Sequence, residues 1–458
     1  MILTILLGII GLGIVILIHE TGHFIAARLA GIEVEAFSLG WGRKLISWKR
    51  GKTEYRISML PIGGYCKMKG EHLLREAWQE EKESIPKEPG SFFAAPPWKR
   101  ILVSLSGPAA NLLFAGLVFS IIWLAGFSIQ TYGNRVIVAS DYPMSDEAFP
   151  GQKQLPADRA GLRTGDRIVQ IEGEEIDHYQ AIQEAVVANP GETLSMTVER
   201  NGRQIRTEIT PRMDPDTGIG RIGVYAWIDP VIGRVREGSA AAAAGIEPGD
   251  RIVEVEGKDV HHSIDVISAI NGKEGAPSLT IEGDGGTRTV TLDIPTAEGG
   301  APDPGFSFAL DEYRSAPTGP FGALARGFAE AGETLALTVK SIGMLFKGIK
   351  VRESLSGPIR ITYYVGEVAT EGFKLGIGTG FSQLFRFLSF LSVAVFFMNL
   401  LPIPILDGGL IVLFVIEGVR GKPLKPKSVY RYQTIGVTII FGLLIFTTLN
   451  DVFFLIKR

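Results

Sequence analysis

The stretch Ile16-Leu17-Ile18-His19-Glu20-Thr21-Gly22-His23-Phe24 decides how the whole chain is read. Met1 to Ile18 carry no charged residue, so the run reads as the first part of a membrane-buried helix. Its continuation spells H-E-x-x-H. Four residues is about one helical turn, which puts His19 and His23 on one face, where both can ligate a zinc ion. Glu20 stands beside them, placed to take a proton from a zinc-activated water, the arrangement of a zinc-dependent peptidase. The same pattern also arises on ordinary exposed helix faces. An apolar span leaves less room for that reading, because an ionisable side chain there is costly unless it is paired, metal-bound or functional.

Composition agrees with a chain that lives partly in lipid and partly in water. The 458 residues leave room for several units, and a hydrophobic share of 46% is high for a wholly soluble protein. A net charge of -3 provides no broad basic face, which argues against nucleic acid as a partner. Cys66 is the single cysteine, so no intramolecular disulfide exists and any domain outside the cytoplasm must hold together by packing. The first run lacks the basic flank and small-residue cleavage site of a signal peptide and is expected to be a retained transmembrane helix.

Outward from that helix, Gly31 is the expected terminator. Tyr55 to Leu60 and Tyr65 to Met68 flank Pro61-Ile62-Gly63-Gly64, a strand-turn-strand pattern predicting a hairpin. Such a hairpin either covers the helix end or offers an edge that captures an extended substrate. Glu71 to Glu88 is dense in charge and expected to be solvated. A second apolar span, about 101–127, contains Ser106-Gly107-Pro108-Ala109-Ala110-Asn111, whose small residues permit close helix approach. Asn111 there either lines a site or bridges helices.

The character then turns soluble, and an internal repeat appears. Ala160-Gly161-Leu162-Arg163-Thr164-Gly165-Asp166-Arg167-Ile168 returns as Ala244-Gly245-Ile246-Glu247-Pro248-Gly249-Asp250-Arg251-Ile252, an offset of 245 - 161 = 84 residues. Each copy is followed by an alternating strand, a glycine turn and a helical stretch. A Gly/Pro/Ala-rich connector follows at about 296–320. Phe321, Leu324, Phe328, Leu335, Val339, Ile342, Leu345 and Phe346 then recur at helical spacing, as in an amphipathic helix that lies along the membrane surface or packs on the soluble pair. A third apolar span at about 384–401 breaks at Pro402 and Pro404, and a fourth runs over about 435–456.

Positive charge flanking these spans sets an orientation. Arg28, Arg43, Lys44, Lys49, Arg50, Lys52, Lys99 and Arg100 lie between the first two spans, and Arg420, Lys422, Lys425, Lys427 and Arg431 between the last two. Both segments are expected in the cytoplasm, with the repeated domains outside and the metal motif toward the cytoplasmic leaflet. Lys457 and Arg458 are a small counter-signal.

A hydrolytic zinc site needs a third ligand. The candidate is Asp407 in Asn399-Leu400-Leu401-Pro402-Ile403-Pro404-Ile405-Leu406-Asp407-Gly408-Gly409, with Glu417 as a weaker alternative. An aspartate capping the next helix is the plainer reading, and the intramembrane H-E-x-x-H tips the balance to ligation. His72, His178, His261 and His262 lie in polar segments without ligand spacing.

Together these features resemble the site-2 protease family of intramembrane zinc metalloproteases. The resemblance covers nearly the whole length: H-E-x-x-H, P-x-G-G-Y (Pro61, Gly63, Gly64, Tyr65), G-x-x-x-N (Gly107, Asn111), the duplicated A-G-[LI]-x-x-G-D-x-I of PDZ domains, and N-x-x-P-x-P-x-x-D-G. It implies a polytopic α-helical membrane protein with about four transmembrane helices and two tandem extracytoplasmic PDZ domains. The divisions are a first helix at 1–30, a cytoplasmic-side segment with a membrane-associated β-hairpin at 31–98, and a second helix at 99–127. PDZ domains follow at 128–216 and 217–300, then a linker with an amphipathic helix at 301–380, a third helix at 381–419, a cytoplasmic loop at 420–434 and a fourth helix at 435–458.

The resemblance further implies one Zn2+ per chain on His19, His23 and Asp407, with Glu20 catalytic. Asn111, Asn399, Gly63, Gly64 and Tyr65 are implied to hold the substrate. That substrate would be a single-span protein of the bacterial inner membrane, already shortened by another protease, such as an anti-sigma factor or a signal-peptide remnant. The PDZ pair would restrict access until another protease has shortened the substrate, and its domains either bind extended peptides or C-termini by strand addition or serve as a spacer or size filter. Two other classes use similar residues: a zinc transporter, and a scaffold whose work is done by the peptide-binding domains. Glu20 separates them, since only hydrolysis needs a base that does not touch the metal.

Overall fold

A computed structural model describes residues 2–142, 154–214, 218–271, 276–294, 303–315, 318–345, 356–374 and 376–456. The chain forms two compact units, Met1–Phe127 with Ser315–Arg458, and Ser128–Arg314. Phe346, the core of the connector at 295–302 and the terminal Lys457 and Arg458 lie outside the described residues.

The first unit is a helical bundle. Helix α1 (Ile2–Leu29) carries no charged side chain as far as Ile18, as suits a helix exposed to lipid, and brings His19, Glu20 and His23 in its later turns. Helix α3 (Pro97–Ala125) opens with proline in its first turn and stops at Gly126. Between them lies α2 (His72–Gln79). The later helices are α4 (Pro320–Leu345), α5 (Pro358–Lys374), α6 (Ile377–Leu400), α7 (Asp407–Arg420) and α8 (Pro426–Ile456). Among the described residues, α1, α3, α6 and α8 are long and apolar enough to cross a membrane.

Two helices depart from the expected layout. The amphipathic α4 packs within this bundle, with Ala331 buried among Val118, Phe119 and Ile122 of α3 and Val393 of α6. Helix α5 was not foreseen as an element. It seats on α1 through reciprocal small residues: Gly8 lies on the Thr362 carbonyl and Gly366 on the Thr4 carbonyl. Its polar residues, Glu367 and Glu371 among them, hide its role from a hydropathy reading.

The charge-rich stretch from Glu71 is also more ordered than its composition suggests. In α2 the side chains of Leu73, Leu74 and Ala77 are buried, and Trp78 stacks on Tyr430 of α8 at 3.9 Å between centroids. A few apolar residues on one face outweigh the charges on the other.

The segment before α2 is not the simple hairpin predicted from Pro61–Gly64. Strands β1 (Val34–Arg50) and β2 (Thr53–Met68) are both long, and the two parts of β2 pair with β1 instead of with each other. Phe37 faces Cys66 on one side and Tyr55 on the other, while Tyr55 also faces Trp48. Folding β1 back at Gly40 and Gly42, both with positive φ, makes this possible. Trp41, Leu45, Ile46, Trp48, Met59 and Leu60 remain exposed on this sheet.

The second unit carries the repeat into three dimensions. One four-stranded sheet has the order Glu174–Glu175, Arg167–Ile171, Leu194–Arg200, Arg203–Ile209; the other has Lys258–Asp259, Arg251–Val255, Ser278–Gly283, Gly286–Thr291. A helix follows the second strand of each copy, Tyr179–Val187 and Ser263–Asn271. The repeated aspartate does the same work twice. Asp166 is 1% exposed and binds Arg200 at 2.7 Å, and Asp250 is 4% exposed and binds Arg288 at 2.8 Å.

The core of the first copy includes Ile222 and Val224, because Val224–Ala226 pairs with Val136–Val138. That copy therefore runs past the boundary expected at 216. The second takes in Phe306–Phe308, paired with Ile232–Val235, and so runs past 300. Where the copies meet, Tyr142 donates to Asp265 at 2.7 Å and lies 3.0 Å from His262. Burial holds the His262 imidazole below its ordinary value.

Candidate metal centre

His19 and His23 lie one turn apart on α1, and Asp407 opens α7. Pro402 and Pro404 end the previous helix and turn the chain, and Ile405 in this turn has φ of 78°. A β-branched residue at positive φ is strained, by roughly 1–3 kcal/mol, and here the strained residue sits two positions before the carboxylate. The Asp407 side chain reaches both rings: Oδ2 lies 3.2 Å from His19 Nε2, and Oδ1 lies 3.4 Å from His23 Nε2. The two Nε2 atoms are 3.2 Å apart.

One ligand atom from each of the three residues, all within 4.8 Å of one another, leaves room for a single zinc ion between them, and the Nε2 atoms stand at a zinc-like separation. Bonds of about 2.0–2.1 Å to nitrogen and oxygen at a tetrahedral angle separate ligand atoms by about 3.3 Å. Two imidazole nitrogens and a carboxylate oxygen are the donor set of a three-ligand catalytic site. His23 is also oriented for ligation: its Nδ1 is 2.8 Å from the Val103 carbonyl, so Nδ1 carries the hydrogen and Nε2 keeps its lone pair. Among the described residues this is the group of histidines and acids with metal-ligand geometry.

Helix α3 shapes the other side of the centre. A Cβ on Gly107 would stand 2.3 Å from His23 Nε2, so this position must be glycine for the ring to lie where it does. One turn on, Asn111 is fully buried with its Nδ2 3.3 Å from His19 Nδ1. The spacing of G-x-x-x-N thus matches the spacing of H-E-x-x-H, one α3 residue for each histidine. That match was visible in the sequence, but its meaning depends on which two helices touch.

The remaining predicted residues divide. Glu20 lies against the strand that carries Gly64. A Cβ on Gly64 would lie 2.9 Å from Ile16 and 3.3 Å from Glu20, so the strand at Gly64 passes directly over the H-E-x-x-H turn of α1. Only β1 pairs with that strand among the described residues, leaving its other edge free of a strand partner. Tyr65 accepts a hydrogen bond from Arg56 at 2.9 Å, and Gly63 adopts φ of 100°. Asn399 donates to the Val395 carbonyl of its own helix at 3.1 Å and is not brought into the ligand group.

Glu417, the alternative ligand, is engaged elsewhere: Arg100 of α3 holds it at 2.5 Å and also covers the Phe414 ring. Both lie on a cavity of about 420 Å³ that also reaches His23 and Asp407. The composition of neither segment hinted at this pairing across 317 residues. His178 caps its helix by accepting from the Ala181 N–H, which leaves it a structural residue.

Comparison with known proteins points the same way. The model of peptidase family M50 matches residues 7–443. A relative from Treponema pallidum, carrying a zinc metalloprotease name, is 39% identical over 452 residues, covering 98% of this chain and 99% of its own. The regulator of sigma-E protease RseP of Escherichia coli is 30% identical over 467 residues, covering 96% of each chain. Its namesake from Salmonella typhimurium is 29% identical over 464 residues, with the same coverage. A zinc-type donor set inside an apolar helix bundle and a family match spanning nearly the whole length lead to one conclusion: the chain belongs to peptidase family M50 and is a zinc metalloprotease of the intramembrane, site-2 type.

Proposed function

We propose that one zinc ion per chain is held by His19, His23 and Asp407, and that Glu20 is the catalytic base in cleavage of the membrane span of single-pass proteins. The observation that carries this is the meeting of the two Nε2 atoms, 3.2 Å apart, with the Asp407 carboxylate, one ligand atom from each residue lying within 4.8 Å of the others. Zinc held there supplies Lewis acidity, polarising the scissile carbonyl and acidifying the attacking water. Glu20 takes the proton from that water and delivers it to the departing amide nitrogen.

The substrate must present an extended peptide, since a helix hides its carbonyls in its own hydrogen bonds. The free edge at Gly63, Gly64 and Tyr65 runs over Glu20 and suits strand addition, which would hold an unwound segment beside the base. Asn399, at the α6 end of the same turn that carries Asp407, is the further candidate for substrate contact. The exposed tryptophans and aliphatic residues of the β-sheet fit a place at the membrane interface.

The chain is placed in a bacterial inner membrane, with the active site toward the cytoplasm and tandem PDZ domains in residues 128–314 on the periplasmic side. These domains restrict entry to substrates whose outer part another protease has removed. The relatives named for sigma-E regulation favour an anti-sigma-factor type of substrate, and signal-peptide remnants have the same short single-span form.

The test is cleavage of a tagged single-span substrate with a short outer domain by purified protein in detergent, with bound zinc measured alongside. Wild type should cut, and Glu20→Gln should lose cleavage while keeping its zinc. Loss of zinc from Glu20→Gln would assign that residue to the structure of the site instead of to the chemistry.

A further inference from the structure

A histidine that ligates through Nε2 as a neutral ring carries its hydrogen on Nδ1, and that N–H needs an acceptor to fix the ring. For His23 the acceptor is the Val103 carbonyl. For His19 the group within hydrogen-bond distance of Nδ1 is the Asn111 amide, at 3.3 Å. The amide presents its NH2 to the ring, while Asn111 Oδ1 is buried without a partner. The oxygen and nitrogen of a side-chain amide exchange places by a half-turn about one bond. That half-turn aims the unpartnered Oδ1 at His19 Nδ1, turning the pair into N–H donor and carbonyl acceptor.

We infer that Asn111 is a positioning residue for the metal centre: it accepts a hydrogen bond from His19 Nδ1–H, holds the ring with Nε2 toward His23 and Asp407, and does not hold the substrate. The inference rests on the metal-site reading above. Complete burial supports it, since a side chain with no exposed surface on the inner face of α3 offers little to a peptide arriving along the 64–68 edge. So does its place in the helix. Asn111 lies one turn from Gly107, so consecutive turns of α3 serve the two histidines in order, one by making room and one by bonding.

The experiment measures zinc affinity by competition with a chromophoric chelator, using the full-length chain with Glu20→Gln to prevent turnover. Asn111, Asn111→Leu and Asn111→Asp are compared, and kcat and KM are measured for the same Asn111 variants with Glu20 intact. Loss of an outer-shell partner weakens metal binding by about 10- to 100-fold. Asn111→Leu should show a loss of that size, with a fall in kcat at nearly constant KM. Asn111→Asp, which still accepts from Nδ1–H, should retain affinity within a few-fold of the parent.

Equal zinc affinity in Asn111 and Asn111→Leu overturns the inference, as does a raised KM with zinc binding untouched, which would make Asn111 a substrate contact. Equal weakness of the Leu and Asp variants also overturns it, by reducing Asn111 to packing. A parent chain that takes up no zinc at all defeats the metal-site reading itself, and is distinguishable from each of these outcomes.

Discussion

At the scale of the residue, the centre depends on small side chains as much as on ligands. His23 occupies the space that any Cβ at position 107 would take, since that atom would stand 2.3 Å from Nε2. Gly107→Ala is therefore expected to push the ring out of line and weaken zinc binding at least as much as losing an outer-shell hydrogen bond, about 10-fold or more. Competitive chelation on the Glu20→Gln background reads this directly, and an alanine variant with unchanged affinity would show that α3 can yield at this point. H-E-x-x-H was legible as a metal motif from spacing alone, because one helical turn relates its residues whatever surrounds them. Gly107 was legible only as a packing residue. Its partner lies on another helix, and no local pattern names that partner.

Among the elements, the join between α3 and α7 matters most to the position of Asp407. Arg100 is 3% exposed and donates to Glu417 of α7 at 2.5 Å, with its guanidinium over Phe414. Removing one member of a buried pair leaves the other charge uncompensated, at a cost of roughly 3–5 kcal/mol. Arg100→Leu should lower thermal stability by that amount and loosen the zinc site through α7. The double variant Arg100→Leu with Glu417→Leu should regain most of it, because no lone charge remains. Additive losses in that cycle, read by thermal unfolding in detergent, would exclude direct coupling. The β-sheet after α1 shows the opposite limit of sequence reading. Alternation and glycines revealed strands and a turn, but which segments pair, as Phe37 does with both Tyr55 and Cys66, was decided by which edges were left to satisfy.

For the molecule as a whole, residues 128–314 behave as an insertion into the helical unit. Ser128–Thr131 pairs with Asp311–Arg314, the Ser315 N–H donates to the Phe127 carbonyl and the Phe127 N–H donates to the Ser315 hydroxyl, so the chain leaves and re-enters the bundle at one place. Replacing 128–314 by a short Gly/Ser linker should therefore leave the bundle and its zinc intact. If the inserted unit restricts entry, the shortened protein should cut substrates with long outer domains that wild type leaves whole. Unchanged selectivity would show that the unit has another task. The spans, the H-E-x-x-H turn, the candidate Asp407 and the 84-residue repeat are legible along the chain, because hydropathy, helical period and duplication are local or self-similar properties. Tertiary structure decided that Asp407 and not Glu417 meets the histidines, that Asn111 backs His19, that α5 belongs to the bundle, and that β2 folds against β1 twice. Each of those depends on contacts between residues far apart in the chain, where buried charges and hydrogen-bonding groups must all find partners at once, and no window of sequence contains both sides of such a contact.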